Sequence, residues 1–553
     1  MTVGINSLMP REDSSCAGMP VERRPVMLVG FQRQANLGLG YLASYLVSQG
    51  FPVTVCDCEL PADQILALAK TLNPVLIGFS LIFQFYVEQF RATIRHLRDN
   101  GINCHFTMGG HFPSLSYGET LNLIPELDSV VRFEGELTLL DLVDTLTRDR
   151  NWRDIPGLAW RDRGSIVESA MRHLIHDLDI LPYPQRDFER DNSVLGRKAI
   201  PLLASRGCAR TCSFCSIHMF YRAAPGKIVR TRKPAEVVKE MQFLHDNHGI
   251  TIFLFQDDDF PLFGAVWRRW ASEFVEQLHA SGLVGRVIWK INCRADAVEP
   301  SLMAKLRDAG LYLVYMGLES GTDEGLRALH KQLTVEHNLR AVRILKELDM
   351  LFEYGFMLLD PSSSFDSVRA NVQFLRAIIG DGSAAAIFCR MIPYDGTPIK
   401  DELAAAGRLR GDICNPDYDF LDPKLDSFYN ELSDIVKIQG WTHSYGALSS
   451  QLNWAWNEVA VLQHLFPQLE DLGLYRASLR KLTAASNELL FRIIEDIADS
   501  HSHGHSHPWS AGLVETQCRV HEHSLLSQRN EFVLRHQTAL LAALDEPIVR
   551  ASA

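Results

Sequence analysis

The stretch PLLASRGCARTCSFCSIHMFY, residues 201–221, determines how the rest of this sequence is interpreted. It begins as an apolar run of strand length and then places Cys208, Cys212 and Cys215 in the spacing C-x3-C-x2-C. Thiols this close together are typical of a metal or iron-sulfur site. Three ligands leave one coordination position for another group. We therefore expect a loop that follows a strand and holds a metal centre with one open position.

Segments of strand length alternate with helical segments after this loop, from residue 198 to residue 400. The strand-like runs cover residues 201–207, 251–260, 286–296, 311–321, 351–361 and 385–398. Six strands with intervening helices predict a partial (β/α)6 barrel of the TIM type, with its chemistry at the carboxyl ends of the strands. The polar residues at those ends are Cys208, Asp257, Asp258, Asp259, Arg294 and Glu319.

A similar βα series precedes the barrel, over residues 25–150. Its strands are almost continuously apolar and its helices are amphipathic, which predicts a doubly wound parallel sheet covered on both faces. Ligands of such sheets bind beyond the carboxyl ends of the strands. Those ends carry Gly30, Ser80, Gly109, Gly110, and Glu134 with Gly135.

The remaining regions complete an α/β protein with a helical end. We expect a disordered tail at residues 1–24, a linker with a small hairpin at 151–197 and a helical region at 401–553. The tract HSHGHSHPW, which contains four histidines at 501–507, resembles an exposed loop that binds metal only adventitiously, and no function is assigned to it.

Composition narrows the functional class. The chain has 553 residues, a net charge of -12 and a sequence pI of about 5.9, which argues against a nucleic-acid or anionic-membrane partner. It contains no apolar run of the roughly 18 to 20 residues that a membrane span needs. Its N-terminus lacks the apolar core of a signal peptide. Eleven cysteines, an odd number, indicate reduced thiols. A cytoplasmic enzyme is the expectation.

The residues alone leave two interpretations of the cysteine loop. Cys208, Cys212, Cys215 and His218 could form a Cys3His zinc site in a non-catalytic binding protein, although structural zinc usually takes its ligands as two pairs. Alternatively, three thiolates hold an iron-sulfur cluster and leave one iron for a small molecule. The position at the first barrel strand favours the cluster.

The loop resembles the signature of the radical S-adenosylmethionine (SAM) superfamily, and neighbouring segments resemble the branch of that superfamily with a cobalamin-binding domain. The matching segments in the barrel are SRGCARTCSFCSI, KIVRTRKPAEVVKEM, FLFQDDDF, GLESGTDEGLRALHK, GFMLLDP and MIPYDGTP. Those in the first domain are LGLGYLASYLVSQGFPVTVCDCE, VLIGFSL, TMGGHFPS and VVRFEGELTLLDL. Together they extend over roughly 25–400 in the expected order.

The resemblance implies three cofactors: a 4Fe-4S cluster bound by Cys208, Cys212 and Cys215, SAM on its fourth iron, and cobalamin. It places Asp257, Asp258 and Asp259 near the SAM amino group, with Glu319 and Arg294 as further SAM contacts. It also implies that Gly109, Gly110 and Gly135 let cobalamin approach the backbone. The D-x-H-x-x-G motif that supplies a cobalt ligand is absent, so cobalamin would bind without a protein histidine, or the domain would be degenerate.

Most members of this branch that keep both cofactors are methyltransferases. The implied function is transfer of a methyl group from methylcobalamin to an unactivated carbon, or to a phosphinate phosphorus as in the phosphinothricin-type P-methyltransferase group. The implied partners are a small natural-product intermediate, for which Arg294 or Arg390 would suit anionic groups, and an electron donor such as flavodoxin or ferredoxin. The alternative within enzymes is a radical SAM dehydratase, epimerase or cyclase with a degenerate cobalamin domain.

Overall fold

The computed structural model describes residues 23–32, 36–188, 193–438 and 444–545. The predicted tail at 1–24 lies almost wholly outside the described residues. The other predicted regions can be followed through the chain. Two seven-stranded sheets and a bundle of long helices make up most of the molecule.

The first domain contains the predicted doubly wound sheet. Its elements are β1 (Val26–Gly30), α1 (Leu37–Ser48), β2 (Val53–Asp57), α2 (Ala62–Leu72), β3 (Leu76–Ser80), α3 (Val87–Asp99), β4 (His105–Gly109), α4 (His111–Leu115), α5 (Tyr117–Leu123), β5 (Ser129–Val131), α6 (Glu136–Thr147), β6 (Leu158–Asp162) and β7 (Ser165–Glu168). The order is β2-β1-β3-β4-β5-β6-β7, and β1 to β5 are parallel. The strand order reverses between β1 and β3, which is where such sheets bind ligands.

The hairpin expected in the linker is present, but it is part of the first sheet. Strand β6 pairs antiparallel with β5, and β7 pairs with β6. The sheet therefore continues past residue 150, where we expected the first domain to end. Apolar side chains on both faces of this sheet form two buried clusters, as its continuous apolar strands predict.

The second sheet is the predicted partial barrel. Its elements are β8 (Ser193–Val194), β9 (Arg197–Leu202), β10 (Ser205–Arg206), α7 (Ser216–Ala223), β11 (Arg230–Thr231), α8 (Pro234–His248), β12 (Ile250–Phe255), α9 (Ala265–Ala280), β13 (Ile288–Cys293), α10 (Pro300–Asp308), β14 (Leu311–Glu319), α11 (Asp323–Ala328), α12 (Val335–Glu347), β15 (Leu351–Leu359), α13 (Phe365–Ile379) and β16 (Cys389–Arg390). Strands β9, β12, β13, β14, β15 and β16 are parallel neighbours in chain order. The six-stranded prediction is confirmed.

The last region is helical, with one hairpin that the sequence analysis did not anticipate. Its elements are α14 (Pro398–Ala405), β17 (Leu409–Gly411), β18 (Pro416–Tyr418), α15 (Pro423–Val436), α16 (Tyr445–Leu465), α17 (Leu472–His503), α18 (Ala511–Arg535) and α19 (Gln537–Asp545). The buried side chain of Asn487 on α17 donates to the carbonyls of Ile379 and Ala384 at 2.8 and 2.9 Å and accepts from the amide of Ala386 at 2.8 Å. These three bonds fix the segment that leads into β16.

Candidate active site at the rim of the barrel

The three cysteines lie between β10 and α7, as expected for a loop at the first barrel strand. Cys212 is buried, whereas Cys208 and Cys215 are partly exposed. Cys215 is the residue immediately before α7, and the backbone amides of Ile217 and His218 point at its sulfur. Burial raises the pKa of Cys208 to about 12 and that of Cys215 to about 11. Binding of iron would therefore displace protons from these thiols.

Two buried cations stand beside the thiol of Cys212. The Arg294 guanidinium lies with Nη1 3.9 Å from its sulfur and donates from Nη2 to the carbonyl of Lys331 at 2.7 Å. The Lys331 ammonium binds Glu319 Oε1 at 2.8 Å. Burial lowers the pKa of Lys331, but Glu319 and Cys212 raise it above its ordinary value. Positive charge here stabilises thiolates and an anionic cluster.

Two residues of the acidic triplet after β12 accept hydrogen bonds from the protein, and the third has a carboxyl oxygen without a partner. Asp257 accepts from the amide of Ala204 and the hydroxyl of Ser205, and Asp258 accepts from the amide of Gly207 at 2.9 Å. Both therefore hold the backbone that enters the cysteine loop. The Oδ1 atom of Asp259, in contrast, is buried and has no hydrogen-bond partner.

Burial changes the acidity of the triplet. It raises the pKa of Asp257 to about 7 and that of Asp259 to about 6, and it also raises the pKa of Asp258. The guanidinium of Arg294 counteracts burial at Asp259. A buried carboxyl oxygen without a donor is costly unless a ligand supplies one. Of the three, Asp259 is the residue suited to bind an ammonium group.

Glu319 and Arg294 have protein partners. Glu319 ends β14 with a left-handed backbone (φ 63°) and pairs with Lys331. Besides Lys331, Arg294 binds Asp296 at 3.1 Å, and Asp296 also pairs with Arg210. A contact of either with SAM therefore remains a prediction.

Arg390 is also engaged. Its guanidinium lies over the rings of Tyr418, Phe420 and Tyr429, and it pairs with Asp417 at 3.0 Å. An anionic substrate group at Arg390 would have to compete with this carboxylate.

The zinc alternative would need four donor side chains around one ion. In the part of the chain that the structure describes, no three His, Cys, Asp or Glu side chains converge on one ion. A Cys3His site with His218 would require such convergence. In a cluster each thiolate binds a different iron, so the thiols need not converge.

In the first domain, packing and backbone conformation require glycine at one of the three candidate positions. Gly110 has φ +116°, and a Cβ atom there would lie 2.1 Å from the carbonyl oxygen of Leu81. A Cβ at Gly135 would lie 3.1 Å from the Leu42 side chain, and one at Gly109 3.3 Å from the Val131 carbonyl. Gly110 is therefore required by the close approach of the chain after β3. A role of these glycines in cofactor approach remains a prediction.

The loop after β3 carries apolar side chains that the sequence analysis overlooked. Ile82, Phe83, Phe85 and Tyr86 are 37–45% exposed, at the edge where the strand order reverses. The rings of Phe83 and Phe85 lie 5.9 and 5.8 Å from that of Tyr394, which follows β16 of the barrel. The buried amide of Gln84 fixes this loop, because it accepts from the backbone amide of Asp395 at 2.9 Å. We call residues 82–86 the aromatic loop.

A cavity of about 320 Å³ opens inside the barrel between β14, β15 and the segment before β16. Its lining is mostly apolar, with the polar groups of Tyr315, Glu353, Cys389 and Asn453. Asn453 belongs to α16, so the helical region closes one side of this space.

Comparison with known proteins gives the family. A model of the B12 binding domain matches residues 24–143, and a model of the Radical SAM superfamily matches residues 202–375. The chain is a radical SAM protein with a B12-binding domain. The resemblance identified from the sequence is confirmed, and the two matches coincide with the doubly wound sheet and the partial barrel.

The curated relatives of this radical SAM protein include two methyltransferases and a cyclase. An uncharacterized methyltransferase of Pyrococcus horikoshii is 28% identical over 71% of this chain and 84% of its own length. A cytidylyl-2-hydroxyethylphosphonate methyltransferase of Streptomyces wedmorensis is 23% identical over 78% and 85%. An anaerobic magnesium-protoporphyrin IX monomethyl ester cyclase of Cereibacter sphaeroides is 34% identical over 52% of this chain and 47% of its own length.

A solved structure supports the fold. The cobalamin-dependent SAM radical enzyme OxsB, solved with aqua-cobalamin, superposes with a TM-score of 0.66 at 18% identity, over 95% of this chain and 84% of that one. The α/β class, the curled barrel sheet and the C-terminal helices are therefore confirmed.

The cofactors of these two domains fit the residues present. Three thiols flanked by backbone amides and by two cations suit a 4Fe-4S cluster. The buried, unpartnered oxygen of Asp259 suits the amino group of SAM. The exposed rings of the aromatic loop suit a large, partly apolar ligand such as cobalamin. The assignment of individual residues to each cofactor remains a prediction.

The histidine tract is more ordered than expected. His501 lies in the last turn of α17, and its Nε2 atom lies 2.7 Å from the carboxylate of Glu431. His507 Nε2 lies 3.1 Å from the other oxygen of the same carboxylate. Two histidines thus bind α15 through one glutamate.

Among the described residues, no helix is both long and apolar enough to cross a membrane.

Proposed function

We propose that this radical SAM protein is a cobalamin-dependent methyltransferase that methylates an unactivated carbon of a small molecule. The observation that carries this proposal is the extent of the match to the two methyltransferases. Both are matched over 84–85% of their own length, whereas the cyclase is matched over 47% of its length. A shared reaction is better supported by similarity over most of a relative's length than over about half of it.

When bound, the cluster with SAM supplies a radical that removes hydrogen from the substrate, and methylcobalamin supplies the methyl group. The protein positions these groups and excludes water. Cys208, Cys212 and Cys215 bind the cluster, while Arg294 and Lys331 balance its charge. Asp259 holds the SAM amino group.

The barrel cavity is the proposed substrate site. Its largely apolar lining favours the carbon skeleton of a small molecule, and Tyr315 and Glu353 offer hydrogen bonds to polar substituents. Arg294 and Arg390 are both engaged by carboxylates, which weakens the argument for an anionic phosphinate. Carbon is therefore preferred over phosphorus as the methylated atom.

The test is anaerobic turnover of protein reconstituted with iron, sulfide and hydroxocobalamin, with a chemical reductant, candidate substrates and SAM carrying a deuterated methyl group, so that every transferred methyl must come from SAM. We expect 5′-deoxyadenosine and S-adenosylhomocysteine to form together and the product to gain the label. Formation of 5′-deoxyadenosine without S-adenosylhomocysteine or label in the product would contradict methyl transfer. Flavodoxin or ferredoxin is the proposed electron donor, and the cytoplasm the proposed compartment.

The second candidate function is cyclisation without methyl transfer. It is favoured by the 34% identity to the Cereibacter cyclase, which exceeds the 28% and 23% identities to the two methyltransferases. In the same experiment a cyclase would convert its substrate with loss of hydrogen and no gain of label. The two functions are thus distinguished by one mass measurement.

A further inference from the structure

Four buried charged side chains join the B12-binding domain to the strand that enters the cysteine loop. Glu134 lies in the turn between β5 and α6, Glu136 is the first residue of α6, and Arg206 and Arg230 face each other in the β10–β11 pair. Arg206 donates to Glu134 at 3.1 Å and to Glu136 at 2.6 Å. Arg230 Nη1 contacts both oxygens of Glu134, at 2.9 and 2.8 Å. All four side chains are at most 11% exposed.

Glu134 in this group is fixed as an acceptor. Burial raises the pKa of Glu134, but Arg206 and Arg230 outweigh it and hold that pKa below its usual range. The backbone amide of Ile175 donates to the same carboxylate at 2.7 Å. The turn from the B12-binding domain is therefore held by two arginines of the barrel region and by the backbone at Ile175.

Arg206 is also fixed on the side of the cluster. Its neighbours Ser205 and Gly207 are held by Asp257 and Asp258, and Cys208 follows directly. Gly207 has φ +90°, and a Cβ atom there would lie 2.1 Å from the Ile228 carbonyl, so the backbone here packs closely against the segment before β11. The ion pairs of Arg206 thus connect the turn at Glu134 to the backbone that enters the cysteine loop.

We propose that Arg206 is a positioning residue that couples the B12 site to the cluster site. Filling the first domain with cobalamin would stabilise one position of the turn with Glu134 and Glu136, and Arg206 would impose that position on the loop of Cys208. The proposal rests on the proposed function only in requiring that one protein holds both cofactors, and it makes no assumption about the group transferred.

The experiment measures the dissociation constant of hydroxocobalamin for the cluster-free protein and for the cluster-reconstituted protein. Coupling between two sites is reciprocal and typically changes affinity by about 5- to 150-fold. We expect a ratio in that range for the wild type and a ratio of about one for Arg206→Gln. With excess dithionite present, which reduces the added hydroxocobalamin to cob(II)alamin and keeps the cluster reduced, the cluster component of the EPR spectrum should change in the wild type and not in the variant.

Two further variants separate coupling from loss of folding. Arg529→Gln removes a guanidinium from the buried carboxylate of Glu458, which it contacts at 2.6 and 2.7 Å between α16 and α18, and it should keep the wild-type ratio. Glu136→Gln has the same shape as the native side chain and leaves Arg206 paired with Glu134. It should reduce the ratio even if Arg206→Gln does not fold.

A wild-type ratio of one, or an unchanged ratio and EPR response in both Arg206→Gln and Glu136→Gln, would overturn the proposal. A protein that couples its cofactors but transfers no methyl group would contradict the proposed function and leave the coupling intact. The two ideas therefore fail on different measurements.

Discussion

The two rims at which the parallel strands end are built from different chemistry. The barrel rim is charged and buried: the Arg294 guanidinium lies beside the thiol of Cys212, and Lys331 influences the pKa of Asp259 electrostatically. The rim of the first sheet presents exposed rings on the aromatic loop. A cluster bound through specific ligands imposes residue types and spacing on the sequence. A ligand bound mainly through shape and apolar area imposes neither, so its site is visible only in the fold.

The largest expected effect is loss of the cluster. Cys208→Ala should abolish labile sulfide and the EPR signal of the reconstituted protein, because two thiolates and a methyl group cannot hold the cluster. Hydroxocobalamin should still bind, with the affinity of the cluster-free protein. Cys104→Ala, at a partly exposed cysteine of the first domain, is the control and should keep the cluster. A normal sulfide content in Cys208→Ala would show that Cys208 does not bind the cluster, and the contrast drawn between the two rims would then be wrong.

The charged rim should respond strongly to removal of one cation. Lys331→Gln leaves Glu319 buried without its partner, and breaking such a pair typically costs about 3–5 kcal/mol. The free energy of unfolding in urea measures this cost. Lys346→Gln removes a more exposed partner of Asp381 and should cost at most about 1 kcal/mol. Equal decreases in the free energy of unfolding of the two variants would show that burial does not strengthen the Lys331–Glu319 ion pair.

The acidic triplet should give the barrel rim a pH dependence. Because the pKa of Asp257 is raised to about 7 from an ordinary 3.8, its contribution to stability is complete below the ordinary value and is lost as the pH rises through about 7. At about 1.4 kcal/mol per pH unit, this loss is at most about 4 kcal/mol. As the pH rises from about 5 to about 8, the free energy of unfolding in urea should therefore decrease less for Asp257→Asn than for the wild type.

The control for this pH dependence is Asp366→Asn, at a side chain that is 98% exposed. This variant should follow the wild type at both pH values. If Asp257→Asn has the same pH dependence as Asp366→Asn, then Asp257 does not titrate as described.

The smallest expected effect belongs to the aromatic loop. Phe83→Ser and Phe85→Ser each remove an exposed ring, and loss of its apolar contact should weaken hydroxocobalamin binding by about 5- to 30-fold, or about 1–2 kcal/mol. Stability should be nearly unchanged. Phe243→Ser, at a ring of similar exposure on α8, should bind as the wild type does. Equal binding by all three variants would mean that the aromatic loop does not contact the cofactor.

The sequence predicts the barrel rim well because its signals are local. The spacing of Cys208, Cys212 and Cys215 follows a strand within ten residues, and the acidic triplet follows the next strand directly. The six-stranded barrel follows from the alternation of apolar runs and helices. The hairpin β17–β18 was missed, although its Gly-Asp and Asn-Pro pairs are turn signals.

Long-range partners could not be predicted from the sequence. Arg206 meets Glu134 across 72 positions, and neither residue type nor spacing indicates such a pair. Lys331 is only 12 positions from Glu319, but a lysine after a short helix is usually an exposed residue. Phe83 and Phe85 were overlooked because an aromatic residue next to an apolar strand ordinarily predicts a core position. In each case the decisive property, burial or exposure, arises only in the tertiary structure.

The three backbone hydrogen bonds of Asn487 limit how this molecule can be divided. The radical SAM match ends at residue 375, yet the chain that leads into the last barrel strand obtains its hydrogen bonds from a side chain about a hundred positions later. A fragment that ends at residue 375 lacks the last barrel strand, and one extended through β16 would keep these backbone groups but leave them without their side-chain partner. The radical SAM domain should therefore not fold when it is separated from the C-terminal helices. Chimeras that exchange C-terminal regions among such enzymes must carry this asparagine, or a replacement for it, with the transplanted helices.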